Sequence, residues 1–198
     1  AFPIWAERVN DVPDTRDAET VRVIAQQYAW NIHYPGPDGR FGATRIDLVD
    51  EQDNPIGLDR SSEFAEDDFT TINQLHIPVN RKIRVDLSSK DVIHNFKLPE
   101  LRVSQDAIPG MVIPVHFTAT STSEEFLKTT VGTKREGKGL EIACAQLCGL
   151  GHYRMKGYVT IHEEDDYQAW LDEQASYLEE EDGDDWGDDG DDWGDDDW

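Results

Sequence analysis

Between Val21 and Ile161 the chain reads as seven or eight short runs of β-branched and aromatic residues, broken by turn formers and with no convincing helix among them. No other feature limits the fold so tightly. The run at 21–34, V-R-V-I-A-Q-Q-Y-A-W-N-I-H-Y, ends in the turn cluster Pro35-Gly36-Pro37-Asp38-Gly39 and reads as a strand and a tight loop. Further strand-like runs lie at 43–49, 71–79, 82–87, 92–98, 112–121, 140–143 and 157–161, around a polar stretch at 50–68. Parallel sheets need helical crossovers, so strands without them stack as antiparallel layers. The expectation is an all-β fold, an antiparallel sandwich or barrel with Greek-key connections.

Helical spacing enters only near the end, where Tyr167, Trp170, Leu171, Gln174, Ala175 and Leu178 recur three and four residues apart behind an acidic start at 163–166. The organisation expected is a linker at 1–20, a β domain at 21–162 and a helix at 163–181 that packs its aromatic face on the sandwich. The acidic tail at 182–198 contains D-D-W-G-D-D at 184–189 and again at 191–196. It is too charged and glycine-rich to bury a core, and is expected to be disordered. With 198 residues at 37% hydrophobic content, one core is affordable and little more. The formal charge of −24 argues against nucleic acid and favours a basic partner. The best apolar run, 108–115, is interrupted by Pro109, Gly110 and Pro114 and falls well short of the roughly 20 residues a membrane span needs. Any targeting or anchoring segment is expected to lie outside these residues.

The chemistry gathers at 144–155, C-A-Q-L-C-G-L-G-H-Y-R-M, which holds the two cysteines of the chain together with a histidine and a methionine. Thiolate and thioether sulfur are soft donors, and with imidazole they suit copper better than hard cations. A local disulfide is the plain alternative for Cys144 and Cys148, and a Cys2His2 zinc site is a second, though zinc has no use for Met155. A two-metal centre needs a further imidazole, and His94 in D-V-I-H-N-F at 91–96 is the natural candidate. His33, His76, His116 and His162 read better as surface or satisfied strand histidines.

With its upstream segment D-V-I-H-N-F-K-L-P-E-L-R-V-S-Q-D-A-I-P-G at 91–110, this loop resembles the periplasm-facing copper domain of cytochrome c oxidase subunit II, over about 21–170. The resemblance implies a cupredoxin-type fold and a binuclear copper centre, CuA. It further implies that Cys144 and Cys148 bridge both coppers, that His94 and His152 supply one imidazole each, that Met155 is a weak axial ligand and that Gln146 contributes its backbone carbonyl. The function implied is electron transfer from cytochrome c to haem in subunit I of a haem-copper oxidase, whose complex pumps protons and reduces oxygen elsewhere. The setting implied is the outer, periplasmic face of a bacterial inner membrane, with other membrane subunits as partners and a membrane hairpin preceding the domain. Tyr28 stands where the family carries a tryptophan for electron entry. Trp30, two residues on, is expected to share its strand face. Asp91 and Asp106 match acidic family positions, and a basic cytochrome is expected to dock near them.

One departure matters. Many relatives carry glutamate at Gln146, where it also holds magnesium; a neutral amide is a poorer magnesium ligand, so only copper is expected. No C-x-x-C-H haem attachment motif occurs, so the electron donor should be a separate protein. A nitrous oxide reductase copper domain shares the loop spacing, but L-P-E-L at 98–101 and A-I-P-G at 107–110 favour the oxidase. A copper carrier using both thiols transiently is the third reading.

Overall fold

The computed structural model describes residues 2–183, so the repeats at 184–198 lie outside the described residues. A one-turn helix, α1 (Phe2–Trp5), leads into ten strands. These are β1 (Glu19–Gln26), β2 (Ala29–Tyr34), β3 (Phe69–Ile72), β4 (Gln74–Pro78), β5 (Lys82–Ser89), β6 (His94–Leu98), β7 (Val103–Ala107), β8 (Ile113–Thr118), β9 (Leu140–Cys144) and β10 (Lys156–His162). The first sheet has the order β3-β2-β1-β5-β8 and the second β4-β10-β9-β6-β7. Together they form the cupredoxin-like sandwich. Helix α2 (Ser123–Thr130) lies between β8 and β9, and α3 (Glu164–Gly183) follows β10.

Alternation sets the core face. In β1, Val21, Val23 and Ala25 are fully buried, and in β5 Ile83, Val85 and Leu87 are, the period-two pattern of a strand with one face on the core. β2 is buried almost throughout because the segment between β2 and β3 folds back over the outer face of this sheet, where Ile56, Leu58 and Ala65 pack on Ile24 of β1 and Phe41 lies edge-on to His33 of β2. His33 is enclosed there, its Nε2 2.6 Å from Asp68 Oδ2, which also accepts from Gly42 N–H.

Several expectations are corrected. The run at 21–34 is a hairpin, with Gln26 facing Ala29 and the turn at Gln27 and Tyr28. The run at 71–79 is two strands in different sheets, broken at Asn73, whose positive φ of 60° asparagine tolerates. Only an isolated bridge at Thr44 and a single 3-10 turn, Ile46–Leu48, occupy 43–49. The sandwich is also mixed and not purely antiparallel: β1 pairs with β5, and β10 with β4, in parallel. Connections that cross between the two sheets supply the separation a parallel pair needs. Finally α2 is a true helix, opened by a capping box in which Thr122 and Glu125 satisfy each other's backbone N–H.

Helix α3 closes one side of the sandwich with aromatic rings. Trp170 lies edge-on to Tyr34 and Phe69 and stacks on His76 with ring centroids 4.3 Å apart. His76 Nδ1 is 2.8 Å from His162 Nε2. Arg81 ties the helix start to β1 by bridging Glu164 and Glu19.

Candidate metal centre

The cluster sits at one end of the sandwich, and hairpin register builds it. β9 ends on Cys144 and β10 starts one residue after Met155. Antiparallel pairing sets Ala143 opposite Lys156, so both ends of the connecting loop are fixed by the sheet, with Cys144 N–H donating to Met155 O at 3.3 Å. His94 opens the neighbouring strand β6, where Phe96 is the partner of Cys144. Ala145 N–H donates to Asn95 O at 3.2 Å. A residue 50 positions away is thereby delivered beside the first thiol.

The donor atoms converge as two matched halves. The Cys144 and Cys148 sulfurs are 3.8 Å apart, nearly twice the roughly 2.05 Å of a disulfide, and both cysteines are free. His94 Nδ1 lies 3.9 Å from Cys144 Sγ, and His152 Nδ1 lies 3.5 Å from Cys148 Sγ. The weak donors divide the same way: Gln146 O is 3.1 Å from Cys144 Sγ, and Met155 Sδ is 3.8 Å from Cys148 Sγ. His94, Cys144 and Cys148 alone bring three donor atoms within 4.8 Å of one another. His94, Cys148 and Met155 are buried, while Gln146 turns its side chain to solvent. Burial and the adjacent Cys144 thiol push the Cys148 thiol up to about 11. Metal binding with release of its proton would offset this penalty at Cys148. Soft, paired and desolvated, this donor set fits copper ions.

The supporting residues differ from expectation. Asp91 lies at the surface with both oxygens engaged: one is 2.8 Å from His94 Nε2, and the other accepts from Gln27 N–H at 2.7 Å. Burial pushes its carboxyl up, but the hydrogen bonds from His94, Gln27 and Val92 outweigh that and hold it below the usual range. With both oxygens engaged, Asp91 is placed to orient His94. Asp106, on β7, accepts from Asn95 Nδ2 at 2.7 Å.

Tyr28 and Trp30 do not share a face, because Tyr28 belongs to the turn and not to the strand. Trp30 is fully buried, its ring edge-on to Phe96 and to His94, so no docked partner can touch it. Tyr28 lies across the metal loop. A Cβ on Gly151 would meet its ring at 2.5 Å, and one on Gly149 would meet its hydroxyl at 2.6 Å. Gly149 also has φ +135°, a conformation side chains rarely adopt. Around this turn Leu147, Leu150 and Tyr153 stand 77%, 95% and 86% exposed. Gln27, which sequence reasoning missed, donates its side-chain amide to Cys148 O at 2.5 Å; the glycines at 149 and 151 were the available signal that something packs against the loop.

Two sheets that gather two thiols, two imidazoles and a thioether at one end define a cupredoxin-like domain with a soft-donor centre in its β9–β10 loop. The chain belongs to the cytochrome c oxidase subunit II family: the family's model of the periplasmic domain matches residues 19–161. It is 35% identical over 175 residues to the alternative cytochrome c oxidase subunit 2 of Bradyrhizobium diazoefficiens, covering 88% of this chain and 56% of that protein. To cytochrome c oxidase subunit 2 of Cereibacter sphaeroides it is 29% identical over 162 residues, covering 78% and 48%. The chain thus spans about half the length of these relatives. Among solved structures it is similar to the periplasmic domain of subunit II of cytochrome oxidase of Bradyrhizobium japonicum, with a TM-score of 0.55 and 26% identity over 84% of this chain and 99% of that one. Among the described residues no helix is long and apolar enough to cross a membrane.

Proposed function

We propose that this domain is the electron-transfer module of a haem-copper terminal oxidase, on the periplasmic face of the membrane. It accepts single electrons from a cytochrome c and delivers them to haem in subunit I. Cys144, Cys148, His94 and His152 would hold two copper ions, with Met155 and the Gln146 carbonyl as weak ligands. Bound copper would supply a one-electron couple. The observation that carries the reading is the pairing of donors: two thiols 3.8 Å apart, each with its own imidazole nitrogen.

What the chain does around such a centre follows from its packing. Asp91 fixes the orientation of His94 by taking the hydrogen on Nε2, leaving Nδ1 free to coordinate. Burial of Cys148 and Met155 keeps water from the sulfurs. A centre whose donors all come from the protein suits a relay and not bond chemistry. Ligands at strand ends and in a loop pinned at both ends by the β9–β10 pairing would shift little when charge changes, the condition for rapid transfer. Tyr28, between solvent and the loop, is the entry point in this reading, and the exposed apolar rim of Leu147, Leu150 and Tyr153 is a surface for a partner to cover. The chain's charge of −24 draws a basic cytochrome toward it, an attraction that weakens as salt rises.

Electron paramagnetic resonance on the copper-loaded domain tests the proposal. An unpaired electron split by two equivalent copper nuclei is expected. A spectrum from a single copper nucleus overturns it and favours a carrier.

A further inference from the structure

One residue of the β1–β2 turn reaches both halves of the metal centre. The side-chain amide of Gln27 donates to Cys148 O at 2.5 Å, and its main-chain N–H donates to Asp91 Oδ2 at 2.7 Å. Asp91 Oδ1 lies 2.8 Å from His94 Nε2. An unbroken hydrogen-bonded path therefore runs from the carbonyl of one thiol ligand to the imidazole that serves the other.

The path also crosses the sandwich. The metal loop joins β9 and β10 of the second sheet, whereas Gln27 follows β1 of the first. Inside the loop, His152 N–H donates to Gly149 O and Arg154 N–H to Gly151 O, contacts that tie the loop to itself. Gln27 Nε2 ties it to the opposite sheet, and a Cβ on Gly149 would come within 2.7 Å of that nitrogen. We propose that Gln27 is a positioning residue for the metal centre, setting the Cys148, His152 and Met155 side against the Cys144 and His94 side. The inference rests on the copper reading for its effect on the metal, while the clamp itself is a property of the copper-free protein.

A donor amide beside the centre stabilises its more electron-rich, reduced form, so losing it lowers the reduction potential. The loss also frees only one side. The two metal positions then become unequal, an outcome that generic loosening of the fold does not produce.

The test is Gln27→Met, which keeps the length of the side chain and removes the donor. In the copper-free protein, amide hydrogen exchange over 148–152 should quicken by about fivefold to tenfold, the effect of one neutral hydrogen bond, with strands β1 and β5 unchanged. In the copper-loaded protein, release to a chelator should quicken by a similar factor. The potential should fall, and the paramagnetic spectrum should report two inequivalent coppers. Gln27→Glu, which sets an acceptor against the Cys148 carbonyl, should exceed Met in every readout and serves where Met fails to fold. Unchanged exchange at 148–152 in the copper-free variants overturns the clamp. Faster exchange with unaltered potential and spectrum overturns the positioning role and leaves Gln27 as loop packing. Failure of the parent protein to hold two coppers overturns the functional reading alone, because the exchange arm needs no metal.

Discussion

The packing of Tyr28 on the metal loop can be isolated by adding one methyl group. Gly151 has φ −87°, which any residue adopts, so Gly151→Ala brings no backbone strain. Its whole cost falls on the ring: the new Cβ would stand 2.5 Å from Tyr28 Cδ2 and 2.7 Å from both Cε2 and Cγ. Carbon atoms sit comfortably at about 3.5–4.0 Å, so the turn or the loop must retreat by about 1 Å. Overpacking on this scale costs about 1–3 kcal/mol. Urea unfolding of the copper-free protein should register it in Gly151→Ala, and the melting temperature should fall by about 2–4 °C for each kcal/mol in a chain of this size. Tyr28→Ala removes the obstacle, and in that background Gly151→Ala should be neutral or stabilising by a few tenths of a kcal/mol, because alanine restricts the unfolded chain. The double-mutant cycle should therefore give a coupling of at least about 1 kcal/mol. An equal cost in both backgrounds refutes the contact.

Three further outcomes are expected. Asp91→Ala should weaken copper binding by about tenfold to a hundredfold, as losing a ligand-orienting carboxylate does, whereas Asp91→Asn, which keeps an oxygen for His94, should recover most of it in a competition titration with a chelator. Burial, and then the charge of His162, push His76 down to about 4; the folded state thus binds fewer protons than the unfolded one, and stability present above about pH 6.5 is lost as pH falls toward 4. The loss attributable to His76 is at most about 3 kcal/mol, less for the portion of the ring that solvent reaches, and His76→Phe, which keeps a ring against Trp170, should show a shallower decline in urea midpoint from pH 7 to 4. Tyr28→Leu should slow reduction by cytochrome c in stopped flow while leaving the copper spectrum intact, and an unchanged rate at low salt removes Tyr28 from the entry path.

What could be read from sequence was what is local. The strand runs at 82–87, 140–143 and 157–161 carry their own alternation, and the donor loop is contiguous, so both are visible without a fold. The hidden parts depend on contact between distant segments. β7 has no apolar alternation because it is an edge strand with little to bury, and nothing marks it. The break at Asn73 was concealed because apolar residues continue on both sides of it while the core they face changes sheet. Helix α2 was legible in principle through Thr122 and Glu125, but eight residues of low hydrophobicity are too short a stretch for a helical period to stand out. At the metal centre the donor residues were legible by type and spacing. The contact of Asp91 with His94 and the clamp by Gln27 were not, since a carboxylate and an amide look alike on paper whether they meet only solvent or also a ligand.

The distribution of exposure around the centre separates the proposed metal donors from the proposed partner surface. His94, Cys148 and Met155 are buried, so replacing them would disturb fold and site together. Leu147, Leu150 and Tyr153 come from the same few residues of chain yet stand almost free of the protein, and large apolar side chains clustered in water are a cost the monomer does not recover. They add little to the sandwich, and they surround the one end where an electron would enter or leave through proposed contacts. In the proposed reading the loop has two separable tasks carried by interleaved residues: its buried members are fixed from three directions, by β6, by β9 and β10, and by Gln27, while its exposed members would answer to the docked partner. A surface that depends on its partner in this way can change with the identity of the electron donor without altering the geometry of the donors beneath it.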